Sequence, residues 1–437
     1  MVDLNSLFKL KELKTDSETE IRAGVTTFLT MAYIIIVNPI ILSAAGVPFS
    51  GILFATVIVS AVSCIVMGLV ANLPFALAPG MGLNAFVTYS LIIGEGVSWQ
   101  TAMGAVVISG IIFMLLSLPK INVREKMLEA IPEPLRLGVA AGIGLFLAFI
   151  GLQDSGVIVA DQATLVTFGG MSWSVGLFIF GLIITGFLLY KQQKGALIIG
   201  ILSVTIIALI LNFADIASIT TLPDKVVRNP DLSLFADLSI TSVFKIAMLG
   251  PLFTLLFTDM FDSISTFLGV AEAGDFYKED GKPRNTGKAL FVDGFATTIS
   301  GIFGTSPATT YIESASGVEE GGKTGLTAVI VGLLFLPFMF FSPLINMIPA
   351  VATGAVLVLV GLFMAKSIHK VNWSRYENSL PAFVAMIAIP LTYSITNGII
   401  LGIITYVVMK ALAREFKDIP ITLWVIFGFS IIVLFLL

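Results

Sequence analysis

The chain has 437 residues, 57% of them hydrophobic and only 12% charged, with a formal net charge of −4. A soluble domain is about one quarter charged, and a soluble surface this apolar would be adhesive, so the composition excludes an ordinary soluble domain and points to one embedded in lipid. The small acidic balance argues against a nucleic-acid partner, and a single cysteine, Cys64, excludes an intrachain disulfide and argues against a metal cluster.

The N-terminal stretch carries Lys9, Lys11, Glu12, Lys14, Asp16, Glu18 and Glu20. It is too charged for a signal peptide and reads as a short amphipathic cytoplasmic lead-in over 1–21, with the first membrane helix acting as an uncleaved insertion signal. A helix needs about 20 apolar residues to cross a bilayer. Such runs are predicted at 22–44, 49–71, 73–93, 99–118, 134–152, 172–190, 195–213, 242–270, 287–302, 304–317, 324–342, 349–365, 380–394 and 397–413. Two of them, 73–93 and 304–317, are interrupted by Pro and Gly. A last run, 420–437, either crosses the membrane or lies against the bundle. The single histidine, His369, sits beside Lys370 and reads as loop surface.

The basic residues test these boundaries. With the N-terminus inside and strict alternation, Lys9, Lys11, Lys14, Arg22, Lys120, Arg124, Lys126, Arg136, Lys191, Lys194, Lys278, Lys282, Arg284, Lys288, Lys323, Lys366, Lys370, Arg375, Lys410, Arg414 and Lys417 fall inside. Only Lys225, Arg228 and Lys245 fall outside, so 21 of the 24 basic residues obey the positive-inside rule. The outer loops 153–171 and 214–241 are acidic or neutral.

A faint internal repeat runs in the same order through both halves. Ala78-Pro79-Gly80-Met81-Gly82-Leu83-Asn84 matches Ser306-Pro307-Ala308-Thr309-Thr310-Tyr311-Ile312-Glu313 in pattern; Ile131-Pro132 matches Ile348-Pro349; Gly195–Gly200 matches Asn397–Gly402. Two units of seven helices follow. Seven is odd, so the second unit enters from the opposite side: an inverted repeat, in which matched broken segments point to the binding site.

A carboxylate at membrane depth is costly and functional by default. Asp259 and Asp262 share one helical face by their i, i+3 spacing; Glu313 lies in the broken tenth segment and Asp293 in the ninth. No Lys or Arg lies nearby in sequence to neutralise them, so they must be protonated, hydrogen-bonded, ion-bound or substrate-bound. Asp293 reads as a helix-stitching hydrogen-bond partner, Asp262 and Glu313 as functional, and Asp259 as intermediate. Pro79, Gly80, Gly82 and Pro307 prevent a continuous helix. The backbone groups they free are tolerated only against protein or a polar cavity, and the short helix after each break turns its positive end to the site. In the first segment, Thr30 and Asn38 either line a cavity or make interhelical hydrogen bonds.

Ala23-Gly24-Val25-Thr26-Thr27-Phe28-Leu29-Thr30-Met31-Ala32-Tyr33 with Asn38-Pro39, Asn72-Leu73-Pro74 with Ala78–Phe86, Phe257–Ser263, Gly304–Gly317 and Pro390–Gly398 resemble, over almost the whole chain, the azaguanine-type purine permeases of the nucleobase–cation symporter group. The resemblance implies an all-α polytopic fold of fourteen transmembrane segments, seven plus seven inverted. A core domain (22–118 and 242–342) would pack against a gate domain (119–241 and 343–413), with 414–437 an extra hydrophobic segment. Segments three and ten would begin as short strands with the nucleobase between them. By motif position Asp262 and Glu313 match the family's substrate-contacting acids and Asp259 its additional acid, with Asn84, Gly82 and Thr310 in the matching broken segments. The family commonly shows Asp-Thr then Gly-Thr where this chain has Asp262-Ser263 and Ser265-Thr266, which bears on substrate range.

These readings converge on a plasma-membrane importer of guanine, hypoxanthine and adenine. Asp262 and Glu313 would accept from ring N–H groups, Asn84 would add amide contacts, and Asp293 and Thr30 would stand behind. A site built of paired polar groups rejects analogues that lack them. Burial disfavours the charged form of a carboxyl group in general, so Asp259, Asp262 and Glu313 suit proton coupling with no cofactor; sodium-coupled transport of a nucleobase, xanthine or uracil is the alternative. The resemblance permits a homodimer. Competing readings are an anion transporter of the same architecture, disfavoured by acids without a buried cation; an intramembrane aspartyl protease, which has no use for an inverted repeat; and a passive channel.

Overall fold

The computed structural model describes residues 4–118, 132–277 and 283–436. Lys120, Arg124, Lys126, Lys278 and Lys282 of the basic loops, and Ile131 of the repeat, lie outside the described residues. Among the described residues nine helical stretches are long and apolar enough to cross a bilayer: Ser17–Ser43, Phe49–Ala71, Trp99–Leu116, Glu133–Asp154, Trp173–Tyr190, Ala196–Phe213, Ile246–Ala273, Ala350–Lys370 and Ile395–Leu412. Two further predicted segments are continuous helices, Thr286–Phe303, which carries Lys288 and Asp293, and Tyr376–Thr392. The chain is a multi-pass helical membrane protein.

The first helix begins earlier than its apolar pattern suggests. Asp16 caps it by accepting from the Thr19 amide at 2.9 Å, so Ser17–Ile21 of the expected lead-in is helical. The physical reason is Glu20, which is fully buried. Its carboxylate accepts from the amides of Lys323 (2.9 Å), Thr324 (3.2 Å) and Thr327 (3.3 Å) and from the Thr327 hydroxyl (2.5 Å). In the first turn of Gly325–Phe335 it satisfies the Thr327 amide, while Gly325 N donates to Asn72 Oδ1 (2.8 Å) and Leu326 N to Thr324 Oγ1 (3.3 Å). The rest of the lead-in also packs on the bundle: Phe8 and Leu10 are buried against Leu326.

The two interrupted segments meet at the centre. Strand β1 (Leu77–Pro79) leads into the short helix Met81–Ala85; strand β4 (Ala308–Thr310) leads into Ser314–Glu319. Between them in sequence, β2 (Ile158–Asp161) and β3 (Leu165–Phe168) form a hairpin in the loop read only as acidic or neutral, turned by Asp161, which accepts from the Ala163 and Thr164 amides at 2.8 Å. β1 and β4 pair antiparallel, Leu77 opposite Thr310 and Pro79 opposite Ala308. Gly80 N donates to Pro307 O, and Tyr311 N to Ala76 O, both at 2.9 Å. Flanking helices absorb the remaining groups: Leu77 N donates to Cys64 Sγ (3.1 Å), Ala76 N to Ser314 Oγ (3.0 Å) and Ala308 N to Ser300 Oγ (3.1 Å). This is how non-helical backbone survives at membrane depth.

Around this pair, Thr286–Phe303 packs on Trp99–Leu116, and Gly325–Phe335 on Phe49–Val66 and Ser17–Met31. On the other side Glu133–Asp154 packs on Ala350–Ala365 and Tyr376–Thr392, and the latter on Ile395–Leu412. The closing helix, Ile421–Leu436, lies against Ile395–Leu412 and Leu249–Ala273, with Phe429 5.7 Å from Phe253.

Candidate functional site

The strand pair forms one wall of a cavity of about 200 Å³. Gly80 and Gly82 on one side and Thr309, Thr310 and Glu313 on the other face Val360, Phe363 and Met364 of the Ala350–Ala365 helix; Tyr33 and Asp262 complete it. Bulk is excluded where the backbone must be reached. A Cβ on Gly80 would lie 3.0 Å from Thr309 Cγ2, and one on Gly82 2.9 Å from Ile143 Cγ2.

Asp262 and Glu313 stand at different edges of this cavity, each shared with a neighbouring space. Ile312, Glu313 and Phe363 also line a neighbouring cavity of about 270 Å³ that reaches Thr30, Gln193 and Glu319. Gly82, Asp262 and Met364 also line a second neighbouring cavity, of about 110 Å³. The Glu313 carboxylate accepts from the Tyr33 hydroxyl at 2.7 Å. No protein donor reaches Asp262 among the described residues, which leaves its oxygens open to the cavities.

The other two acids lie behind the strands, fully buried. Asp293 accepts from the Thr310 hydroxyl, 3.0 and 3.1 Å from its two oxygens. Asp259 Oδ2 accepts from Thr297 Oγ1 at 2.7 Å, while its Oδ1 has no partner among the described residues. Asp293 thus braces β4 and Asp259 the helix Thr286–Phe303; neither lines the cavity, and Thr310 lines the wall with its hydroxyl held from behind. Asn84, expected beside the substrate, is fully buried and lines none of these cavities. Its Nδ2 donates to Asn38 Oδ1 (3.2 Å), and Asn38 Nδ2 donates to Thr56 Oγ1 (2.7 Å) and Thr305 Oγ1 (2.9 Å). The turn that starts Met81–Ala85 rotates Asn84 onto the first segment. Asn38 therefore makes interhelical hydrogen bonds. Thr30 does both things considered for it: it lines the neighbouring cavity and pairs with Ser316 Oγ at 2.9 Å.

Sequence distance hid one group. Arg136, one turn into Glu133–Asp154, lines the cavity of about 110 Å³ together with Asp262. Of the four acids, Asp262 thus shares a cavity with a cationic side chain. The signal was present, since Arg136 falls inside the predicted span 134–152, but it was absorbed into the count of inside charges.

At the far end, beyond the cavity, Tyr393 closes the space between helices. Its ring stands edge-on to Phe146 (centroids 4.9 Å apart) and Tyr89 (5.9 Å), and its carbonyl accepts from Ser90 Oγ at 3.3 Å.

Known proteins agree with this architecture. The chain is 41% identical over 422 residues to the guanine/hypoxanthine permease PbuO of Bacillus subtilis, covering 94% of this chain and 96% of that one. It is 39% identical over 425 residues to the adenine permease AdeQ of Escherichia coli, covering 97% and 94%. Its fold is that of the transmembrane domain of the cyanobacterial bicarbonate transporter BicA, with a TM-score of 0.64 at 18% identity over 88% of this chain and 97% of that one. The model of the permease family (Xan_ur_permease) matches residues 18–401, and the chain belongs to that family of membrane transporters.

Proposed function

We propose that the protein imports purine nucleobases (guanine, hypoxanthine and adenine) across the plasma membrane by proton symport, with its N-terminus cytoplasmic. The observation that carries this reading is the cavity between β1 and β4 with Asp262 and Glu313 on its edges. A purine is flat and mostly uncharged, with N–H donors and ring N or C=O acceptors at fixed spacing. Carboxylates on the cavity edge accept from its N–H groups, and the apolar wall of Val360, Phe363 and Met364 covers its face. Relatives named as guanine/hypoxanthine and adenine permeases at about 40% identity support the substrate class.

In this reading the fold has fourteen segments in two inverted units. Antiparallel pairing of β1 with β4, one from each unit, supports such a relation. The helices around the strands form the core and those around Glu133–Asp154 the gate. The cavity lies on their seam, where rocking gives alternating access. A neighbouring cavity that reaches Gln193 and Glu319, near the Glu320 pairs with Arg22 and Lys194, supports a cytoplasm-facing state. Protonation of Asp262, Glu313 and Asp259 neutralises the empty site and permits its return. Asp293 and Thr30 stand behind these groups, and Asn84 ties the third segment to the first through Asn38.

The test is uptake of radiolabelled hypoxanthine, guanine, adenine and uracil into proteoliposomes under a proton gradient, a sodium gradient or none. Purine accumulation driven by the proton gradient alone is expected. Sodium-driven uptake would replace the coupling ion, and no uptake of any base would sink the reading.

A further inference from the structure

The side cavity of about 110 Å³ has chemistry the transport reading does not use. Phe257 and Phe261 give it flat apolar walls, Asp262 an acceptor shared with the main cavity, and Arg136 a fork of donors. The Arg136 guanidinium carbon lies 5.6 Å from the centre of the Phe261 ring. Two of its lining residues carry buried polar atoms with no hydrogen-bond partner among the described residues, Arg136 Nε and Thr258 Oγ1. A buried donor left unpaired is destabilising and calls for explanation. In a permease cavity that shares Gly82, Asp262 and Met364 with the cavity beside the strands, the economical explanation is a ligand that brings acceptors.

We propose that Arg136 is a specificity-determining residue that reads the 6-oxo edge of the purine, so that the site favours guanine and hypoxanthine over adenine. The inference rests on the purine reading above. Arginine offers only donors, in a planar fork. That fork matches the adjacent O6 and N7 acceptors of a 6-oxopurine, as in bidentate recognition of guanine. The neighbouring edge of the same base carries N1–H, and in guanine also the 2-amino group, both donors suited to the Asp262 carboxylate. A base lying across the junction at Gly82, Asp262 and Met364 thus presents donors to Asp262 and acceptors to Arg136. Adenine reverses the pattern at C6: its amino group is a donor and meets a donor, while its N1 is an acceptor and meets a carboxylate. Arg136 comes from the Glu133–Asp154 helix and Asp262 from Leu249–Ala273, so the two-sided match exists only while these helices are together.

The experiment is competition binding on the purified full-length chain, with labelled hypoxanthine displaced by hypoxanthine, guanine or adenine, for the parent, Arg136→Met, Arg136→Lys and Arg136→Gln. The expected result is a fall of roughly tenfold or more in the ratio of hypoxanthine to adenine affinity for Arg136→Met, with Arg136→Lys intermediate because it keeps the charge and loses the fork. An unchanged ratio in variants that still bind purine overturns the assignment, whether overall affinity holds or falls. If Arg136→Met does not fold, the same ratio is read from Arg136→Lys and Arg136→Gln. A parent that binds no purine at all overturns the substrate reading itself, which separates the two failures.

Discussion

Among the four intramembrane acids, position decides the work each can do. Asp262 and Glu313 are open to the cavities; Asp259 and Asp293 are sealed behind β4 by Thr297 and Thr310. Asp262→Asn and Glu313→Gln should therefore lower proton-driven purine uptake at least tenfold with little loss of thermal stability, because a site that hydrogen-bonds its substrate suffers when one partner is removed. Asp293→Ala should act differently. It frees the Thr310 hydroxyl inside the protein, so melting temperature and uptake fall together, and Asp293→Asn restores part of both. Stability itself has a hidden residue in Glu20. Removing an acceptor that serves three amides and a hydroxyl leaves buried donors unpaired, at about 1–3 kcal/mol each, so Glu20→Ala should be among the more damaging changes outside the cavity, read as a lower unfolding midpoint. Glu95, just past the Met81–Gly94 helix, gives a pH signature. Burial pushes its carboxyl from an ordinary 4.5 up to about 7. The folded state then holds the proton more tightly than the unfolded one. Its contribution is full below 4.5 and lost as pH rises through about 7, and Glu95→Gln should flatten the fall in melting temperature across that window.

Elements differ in how much of them the sequence discloses. The breaks in segments three and ten were legible because Pro79, Gly80 and Pro307 cannot continue a helix. The register of β1 on β4 was not, because it depends on atoms far away in sequence, such as Cys64 Sγ and Ser300 Oγ. The early start of the first helix was hidden for the same reason: Glu20 looks like a solvated charge until Gly325–Phe335 arrives over it. Asn84 shows the converse, a residue in the right motif whose side chain the local turn sends elsewhere. Helix contacts are set by small residues that pattern alone does not pair. Glu133–Asp154 meets Ala350–Ala365 backbone to backbone, since a Cβ on Gly361 would sit 2.3 Å from Gly144 O and one on Gly151 2.5 Å from Gly354 O. Such close crossings are typical of packing in lipid. Gly361→Leu should push the two helices apart at a cost of about 1–3 kcal/mol and displace Phe363 and Met364 from the cavity wall, lowering both melting temperature and purine binding. Gly176→Ala, in a helix where the added carbon meets open space, should do neither.

Across the whole molecule, the two ends of the proposed seam between core and gate are held by different chemistry. On the N-terminal face Glu320 pairs with Lys194, across the seam, and with Arg22 at 3.5 Å. These are partly exposed ion pairs, weak and screened by salt. On the opposite face Tyr393, Phe146 and Tyr89 interlock, and Ser90 Oγ both donates to Tyr393 O and accepts from Ile395 N at 3.4 Å. Aromatic edge-to-face contacts of this kind contribute about 0.5–1.5 kcal/mol each beyond burial and are insensitive to salt. The far face is thus the tighter closure, in keeping with the neighbouring cavity that reaches Gln193 and Glu319 at the other end. If core and gate rock about this seam, weakening the aromatic contact must raise the population of the opposite state, since only a difference in stability between two states shifts their balance. Thr266, which lines the cavity, is a reporter. In vesicles exposing the far face, a Thr266→Cys chain should react slowly with a membrane-impermeant maleimide, and adding Tyr393→Ala should speed the reaction several-fold. High salt in place of the substitution should leave the rate unchanged or slower, because it loosens only the Glu320 end. Equal labelling with and without Tyr393→Ala would mean that this end of the seam does not open during transport.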